Sequence, residues 1–177
     1  MSLLIISSLA VLPSSDTDLL AKTPQPSADE QVTQPLDVAD AIYSANTSIF
    51  LGSKNISLTP YRMTEGHYSD QGFLKGVGNI TDNQTFVDTH LSDKLLQGIG
   101  NGTFETPDGQ SIAWISSGIG RSVDDRWVYY DLMLFNNTQS KSLSILNNSI
   151  SLAISIGGNG TDCNRFTSCA DHIWLLE

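Results

Sequence analysis

The residues in this chain that could do chemistry are few and scattered. Three histidines, His67, His90 and His172, lie on different elements and share no ligand spacing. Metal sites are built from such residues at short, characteristic intervals, so the sequence points to no metal. Cys163 and Cys169 stand near the C-terminal end. Their spacing is not Cys-x-x-Cys, and in an exported chain they read as one local disulfide. Closing so short a loop stabilises by roughly 2 kcal/mol, enough to pin a connection without creating the fold. Serines are plentiful, but no Gly-x-Ser-x-Gly elbow presents one as a nucleophile. Arg121 follows a glycine pair and could meet an anion, yet counting from the glycines turns it to solvent. Asp131 sits inside a strongly apolar run. Buried, it would have a perturbed pKa and be a functional candidate; an exposed edge, or a pairing with Arg126 or Arg121, is the reading we favour. Gly76-Val77-Gly78, Gly98-Ile99-Gly100 and Gly118-Ile119-Gly120 recur at intervals of 22 and 20 residues. None continues as Gly-x-Gly-x-x-Gly into a helix, so no dinucleotide or other cofactor is implied. No catalytic constellation emerges.

A different kind of site is abundant. Asn-x-Ser/Thr triplets begin at Asn46, Asn55, Asn79, Asn83, Asn101, Asn136, Asn147 and Asn159. Eleven asparagines would give roughly two such triplets by chance, so eight is an excess. We read them as glycosylation acceptors on a secreted or cell-surface protein. The net charge of −10, with nine basic residues spread along the chain, offers no stripe to neutralise phosphates. Nucleic acid is therefore not an expected partner.

Residues 1–12 form an apolar run of the length of a signal-peptide core without the usual basic start, read as a remnant export signal. It is too short to span a bilayer, and no later segment approaches the ~20 apolar residues a membrane-spanning helix needs. Residues 13–45 hold Pro13, Pro24, Pro26 and Pro35 among polar residues, the composition of a flexible leader. Within them Leu36 to Tyr43 could make a short helix.

The remainder, 46–177, is the domain. From Ile56 onward short segments alternate with period two and are broken by Gly, Asn-Gly and Pro-Asp-Gly. The clearest hairpin reverses at Pro107-Asp108-Gly109 between Thr103 and Ile115. Further strands are expected at Trp127–Phe135, Ile150–Ile156 and His172–Leu176, with others at Pro60–Thr64, Gly72–Ile80 and Phe86–Gly102. Seven or eight strands in sequence predict an all-β fold, a small closed antiparallel barrel of about eight strands.

If Asn79, Asn101 and Asn147 face solvent, the pleat turns Gly76, Gly78, Gly98, Gly100 and Gly102 inward. The same count turns Ile150, Leu152, Ile154 and Ile156 inward and their intervening serines out. Inward glycines let strands coil tightly and leave room inside. Phe104, Ile112, Trp114, Tyr130 and Leu132 are then expected to line the interior, with Phe104, Trp114 and Tyr130 as ligand contacts. Trp127, Tyr129, Met133 and Phe135 would lie outside, an apolar stripe needing a cover such as a second copy of the chain.

The motifs Gly98-x-Gly100, Thr106-Pro-Asp-Gly109, Ala113-Trp114, Gly118-Ile119-Gly120-Arg121 and Leu143-x-x-Leu146-Asn147 resemble a family of small prokaryotic β-barrel proteins similar to calycin, allene oxide cyclase and dirigent-like barrels. The likeness covers roughly residues 60 to 177, with His172-x-Trp174 as the last strand. It departs where an acidic residue is expected and Gln110 stands, and where glutamates are expected and Ala153 and Ser155 stand. What it implies is fold rather than chemistry. The function expected on this footing is an exported or surface-tethered barrel that binds a small apolar molecule. A cofactor-free isomerase or cyclase and a structural surface protein are the alternatives.

Overall fold

The computed structural model describes residues 36–124, 126–158 and 168–176. The expected signal remnant, most of the leader, Asn159 and Cys163 lie outside these residues, and the Cys163–Cys169 pairing with them.

Eight antiparallel strands close into a barrel in sequence order: β1 (Tyr43–Ser57), β2 (Arg62–Leu74), β3 (Gly78–Ser92), β4 (Leu95–Glu105), β5 (Ser111–Val123), β6 (Arg126–Phe135), β7 (Ile150–Gly158) and β8 (Ser168–Leu176). Each strand pairs with the next, and β1 closes the ring on β8 through Tyr43↔Ile173 and Ala45↔Asp171. Short turns enforce this meander. Gly76, with φ 78°, reverses the chain between β2 and β3. At Thr106–Gln110 the Gly109 N–H donates to the Thr106 carbonyl at 2.9 Å, closing the expected β4–β5 turn.

Several expectations about elements are corrected. The helix expected from Leu36 to Tyr43 is one 3-10 turn, Val38–Asp40, capped by the Asp37 carboxylate, and Tyr43 already belongs to β1. Gly76-Val77 lies in the β2–β3 turn rather than inside a strand, and Gly78 opens β3. Likewise Phe86–Gly102 is two strands joined at Asp93-Lys94.

One end of the barrel is filled by apolar side chains. Tyr43, Leu74, Ile80, Phe104, Ile112, Phe135 and Ile173 converge there, and the 3-10 turn Leu143–Leu146 closes it with two fully buried leucines. Phe104 stands 5.0 Å from Tyr43 and 5.3 Å from Phe135, ring centre to ring centre. Trp174 reaches back to the first described segment, its Nε1–H donating to the Asp37 carbonyl at 2.9 Å.

The inward glycines of β4 hold as expected, and their role is close approach. A Cβ on Gly102 would fall inside the Trp114 indole, and one on Gly100 inside the Phe86 ring. Facing on β6 and β7 is the reverse of that expected. Asp131, Met133 and Phe135 point inward, whereas Tyr130 is 43% exposed and Leu132 55% exposed on the outside. On β7 Ser151 is fully buried and Ile150 is 48% exposed. The cause lies just before β7. Asn147 caps the 3-10 turn instead of lying in a strand, and Asn148 adopts φ 54°, so the pleat restarts out of phase with the count.

Candidate functional site

The inward positions that follow the apolar plug along the strands are acidic. Asp70 and Asp82 are direct cross-strand partners on β2 and β3. Asp131 on β6 and Asp171 on β8 face them across the barrel. Together with Gln84, Phe86, Trp114, Ser116 and Tyr43 these four carboxyl groups line one chamber with a volume of about 30 Å³. Asp88 lies further along β3, near half-buried Tyr68 and Tyr129.

Among the described residues no basic side chain lines the chamber to balance them. Every lysine and arginine among the described residues is exposed, and the chamber lining holds no histidine. An isolated carboxylate in a low-dielectric interior is expensive, so burial pushes such a group toward its protonated form. Burial, then the charge of Asp171 and a hydrogen bond with it, push Asp70 up to about 9. Burial raises Asp82 well above the ordinary carboxylate range, although the Trp114 indole N–H donates to its Oδ1 at 2.8 Å and pulls the other way. Asp131 is raised to about 7 by burial, then by Asp88 and Asp171, and Asp88 to about 6 by burial. Asp70 also accepts a hydrogen bond from the Gln84 amide. Tyr43 and Tyr129 are held un-ionised, by burial first and by neighbouring aspartates after it.

Two buried hydroxyls lining the chamber, Tyr43 OH and Ser116 Oγ, have no hydrogen-bond partner among the described residues. Buried polar groups left so are rare and ask for a partner within reach of the void.

Of the ligand contacts expected from sequence, Trp114 lines the chamber and holds Asp82. Phe104 is inside but belongs to the apolar plug, and Tyr130 is corrected to the outer face. Asp131 is buried in the chamber and is not at an edge beside Arg121 or Arg126. Asp70, Asp82, Asp88 and Asp171 were not singled out by sequence. A usable signal was present: with Asn79 and Asn83 outward, period two turns Ile80, Asp82, Gln84, Phe86 and Asp88 inward. The histidines are apart. His67 contacts Glu65 and Thr85, His90 contacts Arg62 and Thr64, and His172 contacts Ser44. Among the described residues no group of three or more His, Cys, Asp or Glu is arranged to hold a metal ion.

Of the glycosylation candidates, Asn55, Asn79, Asn83, Asn101 and Asn136 are exposed and Asn46 lies on β1. Asn147 is half-buried, its Oδ1 accepting the Thr138 N–H at 2.8 Å. A larger open groove of about 740 Å³, lined by Gln71, Phe73, Asn79 and Glu105 among others, lies away from the acidic chamber.

No protein-family model matches the chain, and neither a curated protein nor a solved structure matches it.

Proposed function

We propose that the barrel is a binding module for a small organic cation, a primary amine whose ammonium group enters the acidic chamber. The observation that supports it is the convergence of four buried carboxyl groups and two unpartnered hydroxyls on a void of about 30 Å³ with no basic side chain in its wall among the described residues. That volume is about the size of one water molecule or one ammonium group. Carboxylates supply charge and hydroxyls accept the remaining N–H groups, with the rings of Trp114 and Phe86 in the same lining. The chamber is too small and too polar for a wholly apolar ligand, so the ligand class read from sequence gives way to a cationic one. Export to the cell surface and glycosylation of the exposed asparagines belong to the same proposal, supported by the excess of Asn-x-Ser/Thr triplets.

Calorimetry with methylammonium and ethylammonium chloride tests the reading. A cation binds the ionised carboxyls, so binding must release protons, and affinity must rise as pH increases through the 6 to 9 window of Asp88, Asp131 and Asp70. Asp82→Asn should weaken binding at least tenfold. Heat that is independent of buffer ionisation enthalpy, or affinity that falls as pH rises, would defeat the proposal.

A second reading, a cofactor-free isomerase or cyclase, is supported by the hydrogen bond between Asp70 and Asp171. Asp70, held protonated at neutral pH by burial and by Asp171 beside it, would supply a general acid inside a closed barrel. Asp70→Asn separates the readings, since it would abolish proton transfer while leaving the other three carboxyls to hold an amine.

A further inference from the structure

The outer face of β5, β6 and β7 is apolar through its middle apart from Ser117. Ile115 pairs with Leu134 and Ile119 with Tyr130 across the β5–β6 ladder, and Leu134 continues to Ile150 on β7. With Leu132 between them, these side chains are 43% to 55% exposed. They present on the order of 600 Å² of apolar surface, the upper end of what a lone monomer shows and close to the ~800 Å² each partner contributes to a standard interface.

We propose that this face is an interface between two copies of this chain, packed sheet against sheet about a twofold axis. The proposal is independent of what the chamber binds. Charge is the first support. The chain carries 19 acidic and nine basic residues, so copies repel one another in general. Within β5, β6 and β7 the only outward charges are Arg121 and Arg126, at the end of their shared hairpin, and no carboxylate points outward. Two copies can therefore meet here without bringing acidic groups together. Shape is the second support. Ser117 faces Leu132 across the ladder, leaving a low position beside a high one, and a twofold axis sets the ridge of one copy into the trough of the other.

Lipid is the less suitable occupant. A barrel immersed in a bilayer needs an apolar band around every strand, but β2 and β3 turn Glu65, His67, Asn83 and Thr85 outward.

Sedimentation equilibrium of the full chain, from low micromolar to near-millimolar concentration, tests this. The expected result is a two-chain mass that Leu132→Glu converts to one chain, raising the dissociation constant about a hundredfold, with an unchanged circular dichroism spectrum. Ser117→Cys should in addition give a two-chain product with a short bismaleimide, beyond any formed by the parent chain, and Asn83→Cys on the opposite side should not. A one-chain mass at every concentration would overturn the proposal. So would a multimer indifferent to Leu132→Glu, a one-chain protein that sediments with phosphatidylcholine vesicles through this face, or one that dimerises only after residues 1–35 are removed.

Discussion

At the plugged end of the barrel, Phe104 packs between Tyr43 and Phe135 under two leucines of the closing turn. A few residues along the same strands, Asp70, Asp82, Asp131 and Asp171 look at one another across a void of about 30 Å³. Both regions are inward faces of the same sheet, yet burial stabilises the first and works against the second. Apolar burial contributes roughly 1.5–3 kcal/mol for each large side chain, whereas a buried ionised carboxyl without a partner costs several. A barrel needing only to fold could carry leucine or valine at every aspartate position. The acidic half is therefore where the sequence departs from stability, and such departures mark sites of function.

The contrast breaks most visibly at the plug. Phe104→Ala removes a fully buried ring at the junction of three strands and should cost about 3–5 kcal/mol, read as a fall in the urea midpoint. A loss below about 1 kcal/mol would mean that the plug is not the stabilising half.

Next in size is the pH dependence of the acidic half. Asp131 ionises near 3.8 when unfolded and at about 7 in the barrel, so between these values the folded state binds more protons than the unfolded. Stability from this group is complete below pH 4 and is lost as pH rises to 7, by on the order of 4 kcal/mol. Asp88 acts in the same direction over a shorter window ending near 6. In amine-free buffer the protein should thus be more stable at pH 4 than at pH 8. Asp131→Asn should leave stability at pH 4 nearly unchanged and recover much of the loss at pH 8, in urea titrations at both values. A parent chain more stable at pH 8 would show that the chamber already contains a countercharge.

The difference between the two halves also explains what could be read from sequence. Turns are local, so Pro107-Asp108-Gly109 and the other breaks between period-two segments were enough to indicate a meander. The inward glycines of β4 were legible because the outward Asn101 sets their parity. β1 was not, because register shifts after Ala45, Phe50 and Asn55 interrupt its alternation, and Ala45 and Ser48 both end up buried. β6 misled for another reason. It is apolar on both faces, so pattern cannot choose between Tyr130 and Met133 when the apolar outer stripe and the acidic chamber reverse the usual rule. An aspartate-rich interior is invisible to a reading that assigns apolar residues to the inside.

The smallest effect expected distinguishes a chamber that waits for an occupant from one that is merely imperfect. Ser116 Oγ is buried without a partner among the described residues, so Ser116→Ala removes no hydrogen bond between them. Deleting an unsatisfied polar group of that kind is neutral or stabilising by up to about 1 kcal/mol. If the hydroxyl exists to accept an ammonium N–H, the same substitution should weaken methylammonium binding severalfold while the urea midpoint holds or rises. Those opposite movements of affinity and stability are the signature of a binding group. A fall in both would instead make Ser116 part of the packing, and the acidic half would have to be explained by the Asp70–Asp171 pair alone.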